Sequence, residues 1–531
     1  MKNFVIGYIF SFFILAWISD YSLAHEYGIT RTSTRNAQLA TRIPQPATRN
    51  PQLATRIPQR ATRNSAPATR NLQSENLDEI TGGFEKADKS DEEMPDILKE
   101  FEDDTEKNVK TEVETESARD DAKSTAIRLD GHLKLGASYN IAHEKPRTGE
   151  TDWRGLSRLR SELQLELRTK FGESWQTLVT AAGYYDFAYS IRGRDEFTDE
   201  VLDDYEKDLE LEDTYIQGSI TGSLDAKLGR QIVVWGKADN VRVADVLNPL
   251  DLREPGITDI EDLRLPVTMA RLDYYFKTWS LTGIVIPEIR FNKTPAFGHD
   301  FYPGTQPPLK ENIPEDGFEN AEYAAAVSGV FRGWDVALYW AEVYNDSPHG
   351  QRVSPGPPAR FELDHARIKM LASAFNIAVG NWLLKAEAAW FDGLEFTNTA
   401  DEEFSRIDVM AGVEYSGFQD TTLSIETVLR HLKDYEDILK QPPDEVRENE
   451  LQWALRFTRT YLNETFTLTA LASTFGAKVQ DGFFERIAAQ YDLTDAVEIS
   501  GGVVFYQSGD TERFSRISDN DRVYFEIKYS F

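Results

Sequence analysis

Cysteine is absent from the 531 residues of the sequence. Disulfide scaffolds, thiol nucleophiles and cysteine-ligated metal sites are therefore excluded. Repeated apolar runs of about 20 residues, which a helical membrane protein needs, are also missing, and the mean hydropathy is -0.48. A membrane β-barrel is not excluded by this low value, because each of its strands turns only alternate side chains to lipid.

Basic side chains are scarce relative to acidic ones, which leaves a formal net charge of -31. A chain this acidic is a poor binder of nucleic acid, so we expect no nucleic-acid partner. The seven histidines are dispersed, and none has the spacing of a metal site. A glycine-rich phosphate loop is missing as well. The sequence therefore predicts no metal, no other cofactor, no catalytic residue and no enzyme activity.

The chain begins with a targeting segment. An apolar run of about fifteen residues follows Lys2, and a small-x-small cleavage site follows that run at Ser22-Leu23-Ala24. This pattern predicts a signal peptide over residues 1–24, with an uncleaved anchor as the alternative.

Two further segments precede the part of the chain that we expect to fold. Thr-Arg recurs every seven residues between Thr34 and Arg70, but the prolines between the repeats exclude a coiled coil. Residues 25–72 are therefore predicted to be a disordered spacer. Residues 73–125 are strongly acidic and are predicted to be a periplasmic linker. A cell-wall polymer or a periplasmic protein is the class of partner that residues 25–125 would suit.

After residue 126, apolar and polar residues alternate with a period of two, and this alternation defines the predicted fold. Leu163, Leu165 and Leu167 fall on one face of a strand, whereas charged side chains fall on the other. In a membrane barrel the apolar face contacts outer-membrane lipid and the charged face lines the lumen. The lumen-facing candidates on this strand are Arg158, Arg160, Glu162 and Arg168.

The connections between such segments alternate between short turns and long polar loops, which is the layout of outer-membrane barrels. Counting the segments predicts an all-β, transmembrane antiparallel β-barrel of about 18 strands over residues 126–531, with 16 as the alternative. An even number of strands places both termini in the periplasm of a Gram-negative bacterium.

The final strand carries the most specific local signal. Val523, Phe525, Ile527, Tyr529 and Phe531 alternate with polar or amphipathic residues, and the chain ends on Phe531. This ending resembles the terminal aromatic signal that hands barrel proteins to the barrel-assembly machinery. Tyr529 and Phe531 are therefore the candidate assembly signal.

One stretch resembles a known family. The run LGRQIVVWGK at 228–237 and the run DVLNPLDLR at 245–253 resemble the Gly-Arg-Gln-x-x-x-Trp-Gly … Asn-Pro-x-Asp pattern of the porin-like family known as domain of unknown function 1302. The resemblance implies an outer-membrane barrel over residues 130–531, with a poorly defined solute and no known catalytic residue.

The long loop at 237–265 follows this stretch, and long early loops of porins commonly fold inward. We therefore hypothesise that it narrows the pore. The alternative is that Asn248 and Asp251 form a turn and a helix cap that only stabilise the loop. The candidate residues of the pore and its constriction are Arg230, Asp239, Arg242, Asp245, Asp251, Arg253 and Glu254.

Three functions remain open at this point. The first is a porin-like channel for the diffusion or selective passage of small solutes of unknown identity, with cations favoured by the acidic loops. The second is a closed structural or surface-interaction barrel. The third is a barrel hydrolase that would use a rim histidine such as His365 or His431.

Overall fold

The computed structural model describes residues 127–146, 150–172, 174–354, 360–399, 402–511 and 514–531. The predicted signal peptide, Thr-Arg repeat and acidic linker lie outside the described residues. Within the part of the chain that the structure describes, no helix has the length and apolar character needed to cross a membrane.

Eighteen strands form one closed antiparallel ring, in which each strand pairs with its two neighbours and β20 returns to β1. The predicted count of eighteen is thus confirmed. The strands of the ring are β1 Ile127–Asn140, β2 Gly155–Phe171, β3 Trp175–Asp186, β4 Lys207–Thr221, β5 Leu224–Gln231, β6 Val267–Phe276, β7 Trp279–Ile286, β8 Glu322–Phe331, β9 Trp334–Tyr344, β12 Arg367–Val379, β13 Trp382–Leu394, β14 Phe404–Phe418, β15 Thr421–Leu432, β16 Asn449–Tyr461, β17 Phe466–Phe475, β18 Phe483–Asp492, β19 Val497–Gln507 and β20 Arg522–Ser530.

Secondary structure outside the ring lies in its long loops. A separate hairpin, β10 His349–Ser354 with β11 Arg360–Asp364, sits between β9 and β12. Two short helices, α1 Phe187–Arg192 and α2 Asp199–Tyr205, lie between β3 and β4. Side chains cap both helices, since Asp186 accepts from the N–H of Ala188 and Thr198 accepts from that of Val201. Short 3-10 turns cover Arg194–Glu196, Ile260–Leu263, Thr397–Thr399, Asp437–Lys440 and Ile517–Asn520.

The period of two places apolar side chains on the outside of the ring. Leu163, Leu165 and Leu167 of β2 are 38–44% exposed, and the leucines that alternate along β1 are similarly exposed. Tryptophans add to this outer surface at positions 279, 334, 340, 382 and 390. An apolar outer face with aromatic residues matches a lipid-facing barrel wall, and a closed ring leaves no strand edge unpaired for lipid to meet.

The ring closes where the first and last strands meet. Gly131 and Phe531 exchange two backbone hydrogen bonds, of 3.0 and 2.9 Å, so the pairing of β1 with β20 extends to the last residue of the sequence. The side chains of Tyr529 and Phe531, which form the predicted assembly signal, are 50% and 53% exposed on the outer face. Their role in assembly stays a prediction.

Candidate functional site: the loop-crossed lumen

Residues 232–266, which connect β5 to β6 and are called the inner loop below, cross the interior of the ring. Asp259 of this loop makes an ion pair of 2.9 Å with Arg456 on β16. In the ring of eighteen, β16 is nine strands from β5 in either direction. The inner loop therefore reaches the wall diametrically opposite its own origin.

The first part of the inner loop packs on an apolar area of the wall. Val233, Trp235, Val241 and Leu247 are buried in one cluster with inward residues of β9 and β12–β16, among them Met370, Met410 and Val428. Trp235 stacks on Tyr339, with ring centroids 4.8 Å apart. The sequence predicted a charged lumen lining, and this area is the exception. Burial of these apolar surfaces holds the loop against the wall.

Two wall carboxylates, which we call the acidic clamp, bind backbone N–H groups of the inner loop. Glu387 on β13 accepts from Lys237, from Ala238 at 2.7 Å and from Ala244 at 3.2 Å. Glu426 on β15 accepts from Asp239 at 2.9 Å and Asn240 at 2.8 Å. Both carboxylates are at most 3% exposed. The clamp thus satisfies five donors that the loop could not pair by itself.

Gly236 explains part of the Trp-Gly motif. Its φ is +86°, and a Cβ atom there would lie 2.7 Å from a carboxylate oxygen of Glu387. A glycine is required because the clamp approaches the backbone directly and because L side chains rarely adopt this φ.

Four arginines on the arc of the ring from β16 through β20 to β2, which we call the arginine wall, hold the second half of the inner loop. They are Arg158 of β2, Arg456 of β16, Arg486 of β18 and Arg522 of β20, and each is at most 9% exposed. Glu254 lies 3.0 Å from Arg158 and 3.9 Å from Arg522. Asp259 pairs with both Arg456 and Arg486. The loop is therefore fixed at both walls by charged or hydrogen-bonded contacts.

A second loop, residues 287–321 between β7 and β8, also crosses the lumen. Asp300 pairs with Arg522 at 2.8 Å and accepts a hydrogen bond of 3.0 Å from Asn140 of β1. Phe301 packs edge-on against Tyr506 of β19. The sequence did not predict that this loop folds inward, although its length alone resembles that of the inner loop.

The predicted constriction residues are held mostly by partners of their own loop. Arg264 lies 2.8 Å from Asp245, and Arg242 donates to the backbone oxygens of Asp245 and Asn248. Arg253 pairs with Asp251 at 2.6 Å. Among these candidates only Asp239 and Glu254 reach the barrel wall through their carboxylates, to Lys385 and the arginine wall respectively.

Arg230 lies apart from the constriction. It pairs with Glu288 at 2.9 Å and approaches Glu210 at 3.5 Å, beside the ends of β4 and β5. Arg290 and Lys293 also contact Glu210. The arrangement is a charge network between β4 and the second loop.

Asn248 ties together the two ends of the inner loop, but it caps no helix. Its oxygen accepts from Val233 at 2.8 Å, and its amide donates to the backbone oxygens of Gln231 at 3.2 Å and Leu265 at 2.9 Å. No helix begins near Asp251 in the described part of this loop, where the first helical turn is Ile260–Leu263. The helix cap of the alternative interpretation is therefore wrong, whereas Asn248 does stabilise the loop by hydrogen-bonding its two ends.

The lumen-facing candidates of β2 all point away from the exposed leucines. Arg160 lies 3.8 Å from the ring centre of Tyr184, and Glu162 pairs with Lys134 at 2.8 Å. Arg168 pairs with Glu166 of the same strand. These side chains are half-buried, so the inner face carries both signs of charge.

Both rim histidines are hydrogen-bonded, and His365 has partners at both of its ring nitrogens. His365 is hydrogen-bonded to the backbone oxygen of Asn345 at 2.7 Å and to Glu311 at 2.8 Å, and its ring stacks on Phe291. His431 contacts Asn449 at 3.0 Å. Within the described residues, no three His, Asp or Glu side chains form a group that could hold a metal ion.

The most strongly anchoring residues were not predicted from sequence. The acidic clamp, Lys385, Arg456, Arg486, Arg522 and Asp259 were not candidates, although Lys385 and Glu387 do fall on the charged face of an alternating strand. A charged residue at an inward strand position is a usable signal. The loop that it meets cannot be found without knowing the positions of strands around the ring.

Replacing Glu387 by alanine should loosen the inner loop. Three loop N–H groups would lose their acceptor, at about 1–3 kcal/mol for each one left unpaired. We expect larger and noisier single-channel currents for Glu387→Ala and a smaller change for Glu387→Gln, which keeps one acceptor oxygen. The control is Glu166→Ala, which removes an inward carboxylate that pairs with its own strand. Equal currents from Glu387→Ala and Glu166→Ala would contradict the clamp.

The anchoring of both loops to the arginine wall should resist mild acid. Burial alone would raise the pKa of Glu254, but Arg158, Arg160 and Arg522 outweigh it and lower the pKa to about 2. Burial likewise opposes the lowering of the pKa of Asp259 by Arg486 and Arg456, and of the pKa of Asp300 by Arg522, His299 and His143.

A carboxylate whose pKa is lowered by docking stabilises the docked loop fully when the pH is above its ordinary pKa. This stabilisation is lost as the pH falls to the lowered pKa of the docked state. For Glu254 that window runs from 4.5 down to about 2. The contacts of the loops with the arginine wall should therefore persist between pH 8 and pH 5, and conductance should rise below about 4 as these contacts are lost. A change between pH 8 and pH 5 would assign the anchoring to other groups.

Solved structures from three bacteria are similar to this chain. OccAB2 of Acinetobacter baumannii is 9% identical, with a TM-score of 0.48 over 77% of this chain and 99% of its own. A BenF-like porin from Pseudomonas fluorescens Pf-5 is 10% identical, with a TM-score of 0.45 over 77% and 98%. OpdK of Pseudomonas aeruginosa, solved with vanillate, is 8% identical, with a TM-score of 0.44 over 76% and 98%.

Among curated proteins, none matches this sequence. A family model does match it, and its description reads "Protein of unknown function (DUF1302)". The match covers residues 104–531, which include the whole ring, the inner loop and the Gly-Arg-Gln and Asn-Pro motifs. The chain with the loop-crossed lumen therefore belongs to the DUF1302 family.

Proposed function

We propose that this protein is an outer-membrane channel for small solutes, with the inner loop as its constriction. The observation that carries the proposal is the path of this loop, which spans the full ring from β5 to Arg456 on β16. A barrel of about eighteen strands is wide enough to hold water unless loops fill it. The loops therefore determine what passes.

The lining away from the loops supports a hydrated path. Side chains of Lys134, Glu162 and Arg168 on the inner face of β1 and β2 remain 20–29% exposed. A polar lining of mixed charge suits water and solutes better than a packed core does. The solute would thus move through a charged vestibule and then past the inner loop.

A closed barrel is the second candidate, and one observation favours it. Arg522, Asn248 and Asn520 are fully buried between the crossing loops and the wall, so part of the lumen is packed like a protein interior. In this case the protein would act through its surface loops or its N-terminal region.

Planar-bilayer recording of the full chain separates the two candidates. Stable single-channel steps are expected from the refolded protein, and boiled protein should give none. Heat-modifiable migration in gels shows independently that the barrel has folded. A folded, inserted barrel that never conducts would overturn the channel proposal in favour of the closed barrel. Hydrolysis of an ester or peptide that disappears in His365→Ala would support the enzyme alternative.

A further inference from the structure

Residues 254–259 of the inner loop lie on the arginine wall in the way that a bound peptide would. Glu254 and Asp259 each occupy a position between two guanidinium groups. Between these two carboxylates, Arg486 donates to the backbone oxygen of Ile257 at 2.7 Å, and Tyr506 donates to that of Pro255 at 2.6 Å. The segment is thus recognised through its acidic groups and its backbone together.

An apolar surface lies between the two carboxylate positions. Ile257 is buried with Phe301, Val504 and Tyr506, and Phe484 packs against the same cluster. The site therefore combines two cationic positions with an apolar middle. This combination suits an organic anion that carries carboxylates at its ends.

The arginine wall also has hydrogen-bond donors that its present partners do not use. The Nε atoms of Arg158, Arg456 and Arg486 are buried and have no acceptor among the described residues. A guanidinium has five N–H donors in a planar fork that matches a carboxylate. The wall can accordingly accept more carboxylate oxygens than the loop supplies.

The charge of the wall is neutralised largely by the loops. On the wall itself, Glu526 lies 3.9 Å from Arg158. Glu254 and Asp259 come from the inner loop, and Asp300 comes from the second loop. If the loops move away, the four guanidiniums lose Glu254, Asp259 and Asp300, whereas Glu526, Asp186 and Glu162 of the wall stay near Arg158, so the attraction of the wall for anions increases.

We propose that the arginine wall is the solute-binding site for small organic anions bearing carboxylates, and that residues 254–259 are a built-in competitor occupying it. This inference rests on the proposed channel function and names its class of solute. It differs from the cation preference expected from the acidic loops, because the buried guanidiniums, and not the overall charge, face the solute at this point.

Titration calorimetry of the full chain in detergent with succinate tests the site without requiring conductance. Asp259→Asn removes one competing carboxylate and should tighten succinate binding by about tenfold or more. Arg456→Gln should abolish binding. The matched control is Arg271→Gln, which removes another inward arginine that pairs with Asp273 at 2.8 Å on β6 and should bind succinate like the unaltered chain. Neutral succinamide should not bind to any of them.

Glu254→Gln provides a second route to the same prediction if Asp259→Asn fails to fold, because it empties the other carboxylate position. The proposal is overturned if neither folded variant binds succinate more tightly than the unaltered chain. Equal binding by Arg456→Gln and Arg271→Gln would overturn it as well.

Bilayer recordings of the same proteins keep the two proposals separate. Succinate that binds to a barrel without conductance would support the site and refute the channel. A conducting barrel that binds succinate equally well after Arg456→Gln would support the channel and refute the site. If both proposals hold, Asp259→Asn should shift the reversal potential in asymmetric KCl toward the value for chloride, and Arg271→Gln should not.

Discussion

Deleting residues 240–262, with a short glycine-serine bridge between the ends, should raise single-channel conductance several-fold. The deletion removes Glu254 and Asp259, and with them every ion pair between the inner loop and the arginine wall. It also removes Val241 and Leu247 from the apolar cluster on the inner wall. The ring itself should persist, because the eighteen strand pairings do not include these residues.

The matched control for this deletion lies in the separate hairpin. Deleting residues 353–361 shortens a long connection whose strands β10 and β11 are outside the ring. This second deletion should leave conductance close to that of the unaltered chain. Similar conductance in all three proteins would mean that the inner loop does not limit the current.

Replacing Gly131 by valine should prevent most molecules from closing the barrel. A Cβ atom at this position would lie 2.8 Å from the backbone oxygen of Gln164 and 2.8 Å from the ring of Phe531. The first contact is with a paired strand and the second with the terminal residue, so β1 could not approach both neighbours. Overpacking of this kind destabilises a fold by about 1–3 kcal/mol. Here the overpacked position lies where the first and last strands close the ring.

The measurement is the fraction of heat-modifiable barrel after refolding into detergent, which should fall sharply for Gly131→Val. Gly283→Val on β7 is the matched control, because a Cβ atom there has nothing within 4 Å. Adding Phe531→Ala to Gly131→Val should restore part of the yield, since one of the two clashes is removed. A normal yield of folded barrel from Gly131→Val alone would contradict the prediction, because β1 and its two neighbouring strands would then accommodate the added side chain.

Local chemistry was sufficient to predict the wall. The alternation at Leu163, Leu165 and Leu167 fixes which face of β2 meets lipid, and glycine or asparagine at sites such as Gly172, Gly380 and Asn463 marks tight turns, where each adopts positive φ. These signals depend on neighbours within a few residues. The strand count could therefore be predicted without knowing any long-range contact.

The interior depends on contacts of another kind. Asp259 and Arg456 are 197 residues apart, and Glu387 and Ala238 are 149 apart. Such pairs follow from the position of each strand around the ring and from the path of the loop, and neither leaves a local pattern. The apolar inner area at Met370 and Met410 was missed for the same reason, since only contact with the inner loop explains it.

The long sequence separation of the arginine-wall contacts imposes an order on assembly. The inner loop is synthesised well before its partners, since Arg456 and Arg486 follow Asp259 by 197 and 227 residues. Its docking site exists only once the C-terminal strands have joined the ring, and contacts of such long range form slowly. Glu254 bridges Arg158 of β2 and Arg522 of β20, and these two strands come together only when β1 pairs with β20. The complete docking position of the inner loop therefore exists only in the closed ring.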